Sequence, residues 1–97
     1  MKLIWAPLAI EKVTQIAQYI ALDNTSASIK WVENIFKRSE QIKNFPESGR
    51  VVPEVGRKNI REIIYGNYRI IYKIQKKETS ILTIQHTKQI LPIDEIK

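Results

Sequence analysis

Cysteine is absent from the 97-residue sequence, and only three glycines and one histidine are present. Without cysteine, neither a disulfide framework nor a thiolate zinc site can form. A single histidine offers too few nitrogen ligands for a typical transition-metal site. The glycines are scattered and do not form a phosphate-binding loop. We therefore expect no metal and no cofactor.

Long apolar runs are also absent, because no stretch approaches the ~20 apolar residues that a membrane span needs. The apolar run from Leu3 to Ile10 is short, contains Pro7 and is followed by Glu11, with no small-residue cleavage site. A buried first strand is expected there instead of a signal peptide. These features predict a cytoplasmic protein without membrane contact, folded as one domain over residues 1–97 with a tail at 87–97.

Basic residues outnumber acidic ones, and the net charge of +6 is unevenly placed. Eleven basic and four acidic residues lie between Lys37 and Lys77, so the whole excess falls in that part of the chain. Such a distribution indicates a polyanionic target or a strongly acidic protein partner, although a merely solvated basic face is the alternative.

Hydrophobic periodicity predicts a strand at Lys2–Trp5 and then two helices, which are separated by turn residues at 22–26 and end near Asn44. The two tryptophans are expected to be core anchors. Residues 46–56 hold two prolines and two glycines, which favours a loop or an irregular edge strand. Three strand-like runs follow at 59–65, 68–74 and 80–85, the first two separated by a Gly66-Asn67 hairpin turn. The fold class is therefore α+β: a strand, an αα-hairpin, then a three-strand antiparallel meander, forming one sheet packed on the two helices.

Alternation of side chains along the middle strand predicts which face meets the target. Tyr68, Ile70, Tyr72 and Ile74 should lie toward the helices, which leaves Arg69 on the open face. Arg61 is expected beside Arg69 on that open face. The predicted target-binding surface consists of basic residues suited to a phosphate backbone: Arg50, Arg57, Lys58, Arg61, Arg69 and Lys73.

Acid–base chemistry has few candidates in this sequence. His86 is the only side chain with an ordinary pKa near neutrality, and a structural or partner-contact role is the alternative. Glu47, Glu54 and Glu62 would serve as bases only if their surroundings raised their pKa values.

Several segments, taken in order, carry a resemblance to the RelE/ParE toxin superfamily over nearly the whole chain. They are Ile4-Trp5-Ala6-Pro7, Tyr19-Ile20-Ala21 to Asp23, Phe45-Pro46-Glu47-Ser48-Gly49-Arg50, Ile60-Arg61-Glu62-Ile63, Tyr68-Arg69-Ile70-Ile71-Tyr72-Lys73 and Ile81-Leu82-Thr83-Ile84-Gln85-His86. The resemblance implies a four-stranded sheet on a helical hairpin and neutralisation by an acidic antitoxin encoded nearby.

The resemblance leaves two mechanisms open. RelE-like members cut messenger RNA on the ribosome, and their catalytic residues would correspond to Arg61, Arg69 and His86. ParE-like members inhibit DNA gyrase without catalysis. The long hairpin, the Phe45–Arg50 loop and Ile63 in place of a basic residue favour the ParE-like branch. A regulatory relative that only binds a partner is a third hypothesis.

The C-terminal tail holds a small apolar set: Ile90, Leu91, Ile93 and Ile96. We expect these residues to be exposed and to contribute to an antitoxin contact, with a frayed terminus as the alternative.

Overall fold

The computed structural model describes residues 2–89 and 91, which form two helices and a five-stranded sheet. Strand β1 spans Lys2–Trp5, helix α1 Pro7–Asp23 and helix α2 Thr25–Asn44. After a 3-10 turn at Pro46–Ser48 come β2 (Arg50–Val51), β3 (Ile60–Tyr65), β4 (Tyr68–Ile74) and β5 (Glu78–His86). The expected α+β class is confirmed.

The sheet has the strand order β1-β5-β4-β3-β2, with β1 parallel to β5 and every other pair antiparallel. Strand β2 forms one edge of the sheet and lies in the segment that contains the prolines and glycines. Only its two residues, Arg50 and Val51, pair with β3. Strand β4 therefore lies at the centre of the sheet, and its side chains are buried on both faces.

The helical hairpin turns at a single residue, Asn24, which is shorter than the expected break. Its backbone N–H donates to Ile20 and ends α1, while its side-chain oxygen accepts from the N–H of Ala27 and begins α2. Ser28 fastens the two helices by donating its hydroxyl to the Ala17 carbonyl at 2.6 Å.

The main core lies between the helices and one face of the sheet, here called the helix face. Its buried members are Ala9, Val13, Trp31, Ile35, Ile42, Ile63, Ile70, Tyr72, Ile81 and Ile84. Trp31 is a core anchor as expected, and Trp5 packs more shallowly at 5.3 Å from the ring of Phe36. No helix among the described residues is long and apolar enough to cross a membrane.

A smaller core lies on the opposite side of the sheet, here called the second face. It contains Val52, Ile60, Ile71 and Leu91, with Val55 and Leu82 packed against them. The expectation that Leu91 is exposed is wrong, because this residue is 3% exposed in the small core. Ile90, Ile93 and Ile96 lie outside the described residues. The second face is thus partly covered by residues 52–55 and Leu91.

Candidate functional site on the second face of the sheet

The register of the β3–β4 hairpin decides which charged residues share a face. Tyr65 pairs with Tyr68 across Gly66-Asn67, and this register pairs Arg61 with Tyr72 and Ile64 with Arg69. Gly66 has a φ of +58°, a conformation that suits the first position of a tight hairpin turn. Even-numbered residues of β3 therefore share a face with odd-numbered residues of β4.

Arg61 consequently lies on the helix face, and the expectation that it neighbours Arg69 is wrong. Its guanidinium holds backbone carbonyls of the preceding loops, through Nε to Lys58 at 2.9 Å and Nη1 to Gly49 at 2.9 Å. Glu62, rather than Arg61, contributes the charged side chain of β3 beside Arg69. Arg61 therefore stabilises the two loops that precede β2 and β3 by donating hydrogen bonds to their backbone carbonyls.

Arg69 lies at the centre of an ionic cluster on the second face. Its Nε donates to Glu62 Oε1 at 2.6 Å, while Nη1 and Nη2 donate to the two oxygens of Glu54 at 2.6 and 2.9 Å. Arg50 approaches Glu62 from the other side through its own Nε. We call these four residues, Arg50, Glu54, Glu62 and Arg69, the ionic quartet. Two positive and two negative charges balance within it.

Burial differs sharply within the ionic quartet. The side chains of Glu62 and Arg69 are 0% and 6% exposed, whereas those of Glu54 and Arg50 are 36% and 63% exposed. Isolated charges buried this deeply would be strongly disfavoured, so each buried member needs its partners. The central pair is therefore structural, and the two outer members face solvent.

The surroundings of Glu54 and Arg69 stabilise their charged forms. The hydrogen bonds from Arg69 hold the pKa of Glu54 below its ordinary value, although partial burial opposes this shift. The hydrogen bonds that Arg69 donates, first to Glu54 and then to Glu62, raise the pKa of Arg69, although its burial opposes this shift. The condition set for Glu54 to act as a base is not met, because its pKa is lowered rather than raised.

The remaining predicted target-binding residues do not gather around Arg69. Arg57 and Lys58 are exposed on the loop before β3. Lys73 lies on the face of Arg69 but four residues along β4, roughly 13 Å away at strand spacing. Of the other five predicted residues, Arg50 is the one that the described ion pairs connect to Arg69, and it does so through Glu62.

His86 lies on the helix face, opposite Tyr68 in the β4–β5 register. Its ring packs 5.4 Å from that of Tyr68, and its Nδ1 accepts a hydrogen bond from the backbone N–H of Lys88 at 3.1 Å. An open cavity of about 370 Å³ adjoins it, lined by residues of α1 and of the end of β5: Lys12, Gln15, Ile16, Tyr19, Tyr68, Ile84, His86 and Gln89. Burial raises the pKa of Tyr68, which is one of the residues lining this cavity.

The three nuclease candidates therefore do not converge. Arg69 is on the second face, while Arg61 and His86 are on the helix face, opposite Tyr72 and Tyr68 of β4 respectively. Their offset along β4 alone is roughly 13 Å at ~3.3 Å per residue, and they lie on the strands to either side of β4. Acid–base cleavage of a phosphodiester needs its groups within hydrogen-bond reach of the same few atoms. Within residues 2–89 and 91, no group of three His, Asp or Glu side chains is placed to hold a metal ion.

The Phe45–Arg50 loop is fixed to the sheet by Tyr72. The buried hydroxyl of Tyr72 donates to the Pro46 carbonyl at 2.6 Å and accepts from the Gly49 N–H at 3.0 Å. A Cβ at position 49 would lie 2.6 Å from the Glu62 carbonyl oxygen and even closer to the Tyr72 hydroxyl, so only glycine fits. The loop therefore positions Arg50 for its contact with Glu62 in the ionic quartet.

Comparison with known proteins agrees with this architecture. Residues 3–91 match the family described as the ParE toxin of the type II toxin-antitoxin system parDE. No curated protein matches the sequence. Among solved structures, a chain from the chromosomal ParDE TA system of P. aeruginosa is similar in fold, with a TM-score of 0.72 and 20% identity. The similarity covers 89% of this chain and 95% of that one. Because the family match spans nearly the whole sequence, the chain belongs to the ParE toxin family of type II toxin–antitoxin systems.

Proposed function

We propose that this protein arrests bacterial growth by inhibiting DNA gyrase, and that a cognate acidic antitoxin neutralises it. It would act by binding rather than by catalysis, in the cytoplasm where its target works. The alternative mechanism is ribosome-dependent cleavage of messenger RNA, which would stop translation instead of DNA replication.

The separation of Arg61, Arg69 and His86 supports the binding mechanism most directly. In the free protein Arg69 donates to Glu54 and Glu62 on the second face, and Arg61 donates to backbone carbonyls on the helix face. An arginine that stabilises a transition state must direct its donors at the reacting phosphate. Here the donors of both arginines are directed at groups of the protein itself.

Charge supports an acidic antitoxin. The overall charge is +6, and the ionic quartet is neutral, so the excess resides in other side chains, among them the exposed Arg57 and Lys58. An acidic segment that orders on binding would neutralise this excess and cover exposed apolar side chains such as Tyr19, Leu22 and Ile29.

The test is precursor labelling in a bacterium immediately after the protein is induced without antitoxin, with thymidine and leucine followed in parallel. Gyrase inhibition predicts that thymidine incorporation falls first. An earlier fall in leucine incorporation would contradict the proposal and indicate translation as the target.

A His86→Ala variant sharpens this test, because His86 is half-buried at the end of β5 and its loss should leave the fold intact. Under gyrase inhibition we expect the variant to reduce thymidine incorporation as the wild type does. Under the nuclease mechanism, loss of the only histidine would abolish toxicity.

A further inference from the structure

The two carboxylates that hold Arg69 differ in how firmly they are themselves held. Glu62 is part of β3, is completely buried and is shared with Arg50. Glu54 belongs to a turn, and its side chain is 36% exposed. The outer edge of the guanidinium, formed by Nη1 and Nη2, is therefore occupied by Glu54, the partner that solvent reaches, although Nη2 also lies 2.6 Å from Glu62 Oε1.

The backbone of the Glu54 turn does not depend on the ion pair. Val52 is fully buried in the small core, and Val55 packs against that core. The backbone N–H groups of Val55 and Gly56 both donate to the Val52 carbonyl, at 3.1 and 2.9 Å. Rotation of the Glu54 side chain alone would therefore free the outer edge of Arg69 while the turn stays in place.

The surroundings of this edge combine charge with apolar surface. Ile64 lies directly opposite Arg69 in the β3–β4 register and is 41% exposed. Arg50 is exposed nearby on β2. A guanidinium edge that binds both oxygens of a planar carboxylate, with an exposed isoleucine beside it, matches a peptide segment that carries acidic and apolar residues.

We propose that the outer edge of Arg69 is a carboxylate-binding position for a protein partner, and that Glu54 occupies it in the free protein. An acidic side chain of the partner replaces Glu54, and a neighbouring apolar residue of the partner covers Ile64. The exchange replaces one negative charge with another, so the buried Glu62–Arg69 pair stays balanced. The identity of the partner as the antitoxin rests on the proposed function, whereas the site itself does not.

The site predicts that Glu54 competes with the incoming carboxylate. If Glu54 occupies the edge in about nine molecules of ten, its removal should strengthen binding about tenfold, because the competent fraction rises accordingly. Glu54→Ala removes the competitor entirely, while Glu54→Gln keeps its size and a single acceptor oxygen. We expect the alanine variant to bind most tightly, the glutamine variant next and the wild type least.

The probe is the capped peptide acetyl-Leu-Glu-Leu-Glu-Leu-amide, titrated into isotope-labelled protein while the arginine Nε–H signals are followed by NMR. The matched peptide with glutamine in place of glutamate tests the need for a carboxylate. Glu40→Ala is the control variant, because it removes an exposed glutamate from α2, away from the ionic quartet. Amide spectra of each variant establish that the fold is retained.

Tighter binding of the acidic peptide by both Glu54 variants, but not by Glu40→Ala, is the expected result. Equal affinity in the wild type and both Glu54 variants would overturn the proposal. Strengthened binding of inorganic phosphate or duplex DNA without strengthened peptide binding would also overturn it, since the position would then serve phosphates. No gyrase or antitoxin enters this assay, so its failure and a failure of the proposed toxin activity are separately visible.

Discussion

The two faces of the sheet bury their side chains by different means. The helix face packs isoleucines and Tyr72 against the helices and contains no ion pair among its described core residues. The second face buries Glu62 and Arg69 beside a small apolar cluster around Val52 and Ile71. One face is held mainly by removal of apolar surface from water, and the other by balanced charge.

We expect the helix face to contribute mainly to the stability of the fold and the second face to contribute to partner binding. The described core residues of the helix face pack through apolar contacts and hold no ion pair that a partner could exchange. The second face has an exposed carboxylate, Glu54, on a buried arginine, so a partner that supplies the same chemical group can replace it. The four predictions that follow test this contrast, beginning with the largest expected change in the free energy of unfolding.

Truncation in the helix-face core should have the largest effect. Ile70→Ala removes a fully buried side chain from the central strand, and we expect a loss of about 3–4 kcal/mol in the free energy of unfolding. Urea denaturation measures this loss, which should change little between low and high salt because no charge is involved. A loss below about 1 kcal/mol would show that this core is loosely packed.

Removal of the buried Arg69 should cause the second-largest loss in the free energy of unfolding. Arg69→Met leaves Glu62 buried with Arg50 as its remaining described partner, and we expect a loss of about 3 kcal/mol. Arg50→Met is the matched control: its side chain is 63% exposed, and Arg69 still pairs with Glu62, so the loss should stay below about 1 kcal/mol. Equal losses in the two variants would contradict the division into a structural centre and a solvent-facing rim.

Tyr72→Phe should have an intermediate effect. It removes the hydroxyl that joins the Pro46 carbonyl and the Gly49 N–H, and we expect a loss of about 1–2 kcal/mol. Hydrogen exchange should show faster exchange of the Gly49 amide while the amides of α1 are unchanged. Uniformly faster exchange across the chain would indicate that Tyr72 supports the core rather than this loop.

The smallest effect concerns acid stability. The pKa of Glu54 is lowered in the folded protein, so its pairing stabilises the fold above the unfolded pKa, near 4.5, and is lost as pH falls through the folded value. Glu54→Gln should cost less than about 1 kcal/mol at pH 7, because solvent screens this pair, and the difference from wild type should vanish in acid. A difference that persists at pH 2 would exclude the ion pair as its cause.

The two helices, the strands other than β2 and the α+β class could be predicted from apolar patterns bounded by turn residues, whereas the two-residue β2 has no such pattern. The location of Arg61 could also have been predicted. A two-residue turn at Gly66-Asn67 pairs Tyr65 with Tyr68, and counting back from this pair places Arg61 opposite Tyr72, on the helix face. Alternation shows which residues share a face within one strand, but only the turn fixes which of them share a face with the neighbouring strand.

The ionic quartet could not be predicted in the same way. Glu54 reaches Arg69 from an irregular turn 15 residues earlier, and no local period fixes the path of that turn. Glu62 was recognisable as a charged residue in a strand, but its complete burial accompanies ion pairs with Arg50 and Arg69 of the neighbouring strands, which its own strand does not reveal. Contacts of this kind are set by tertiary packing rather than by local sequence.

The most direct test of non-catalytic gyrase inhibition is a supercoiling assay with purified gyrase, relaxed plasmid and ATP, titrated with the wild-type protein and with His86→Ala. We predict that supercoiling falls with increasing concentration of either protein and that messenger RNA on purified ribosomes stays intact. Normal supercoiling at saturating protein, together with ribosomal messenger RNA cleavage that His86→Ala abolishes, would contradict it.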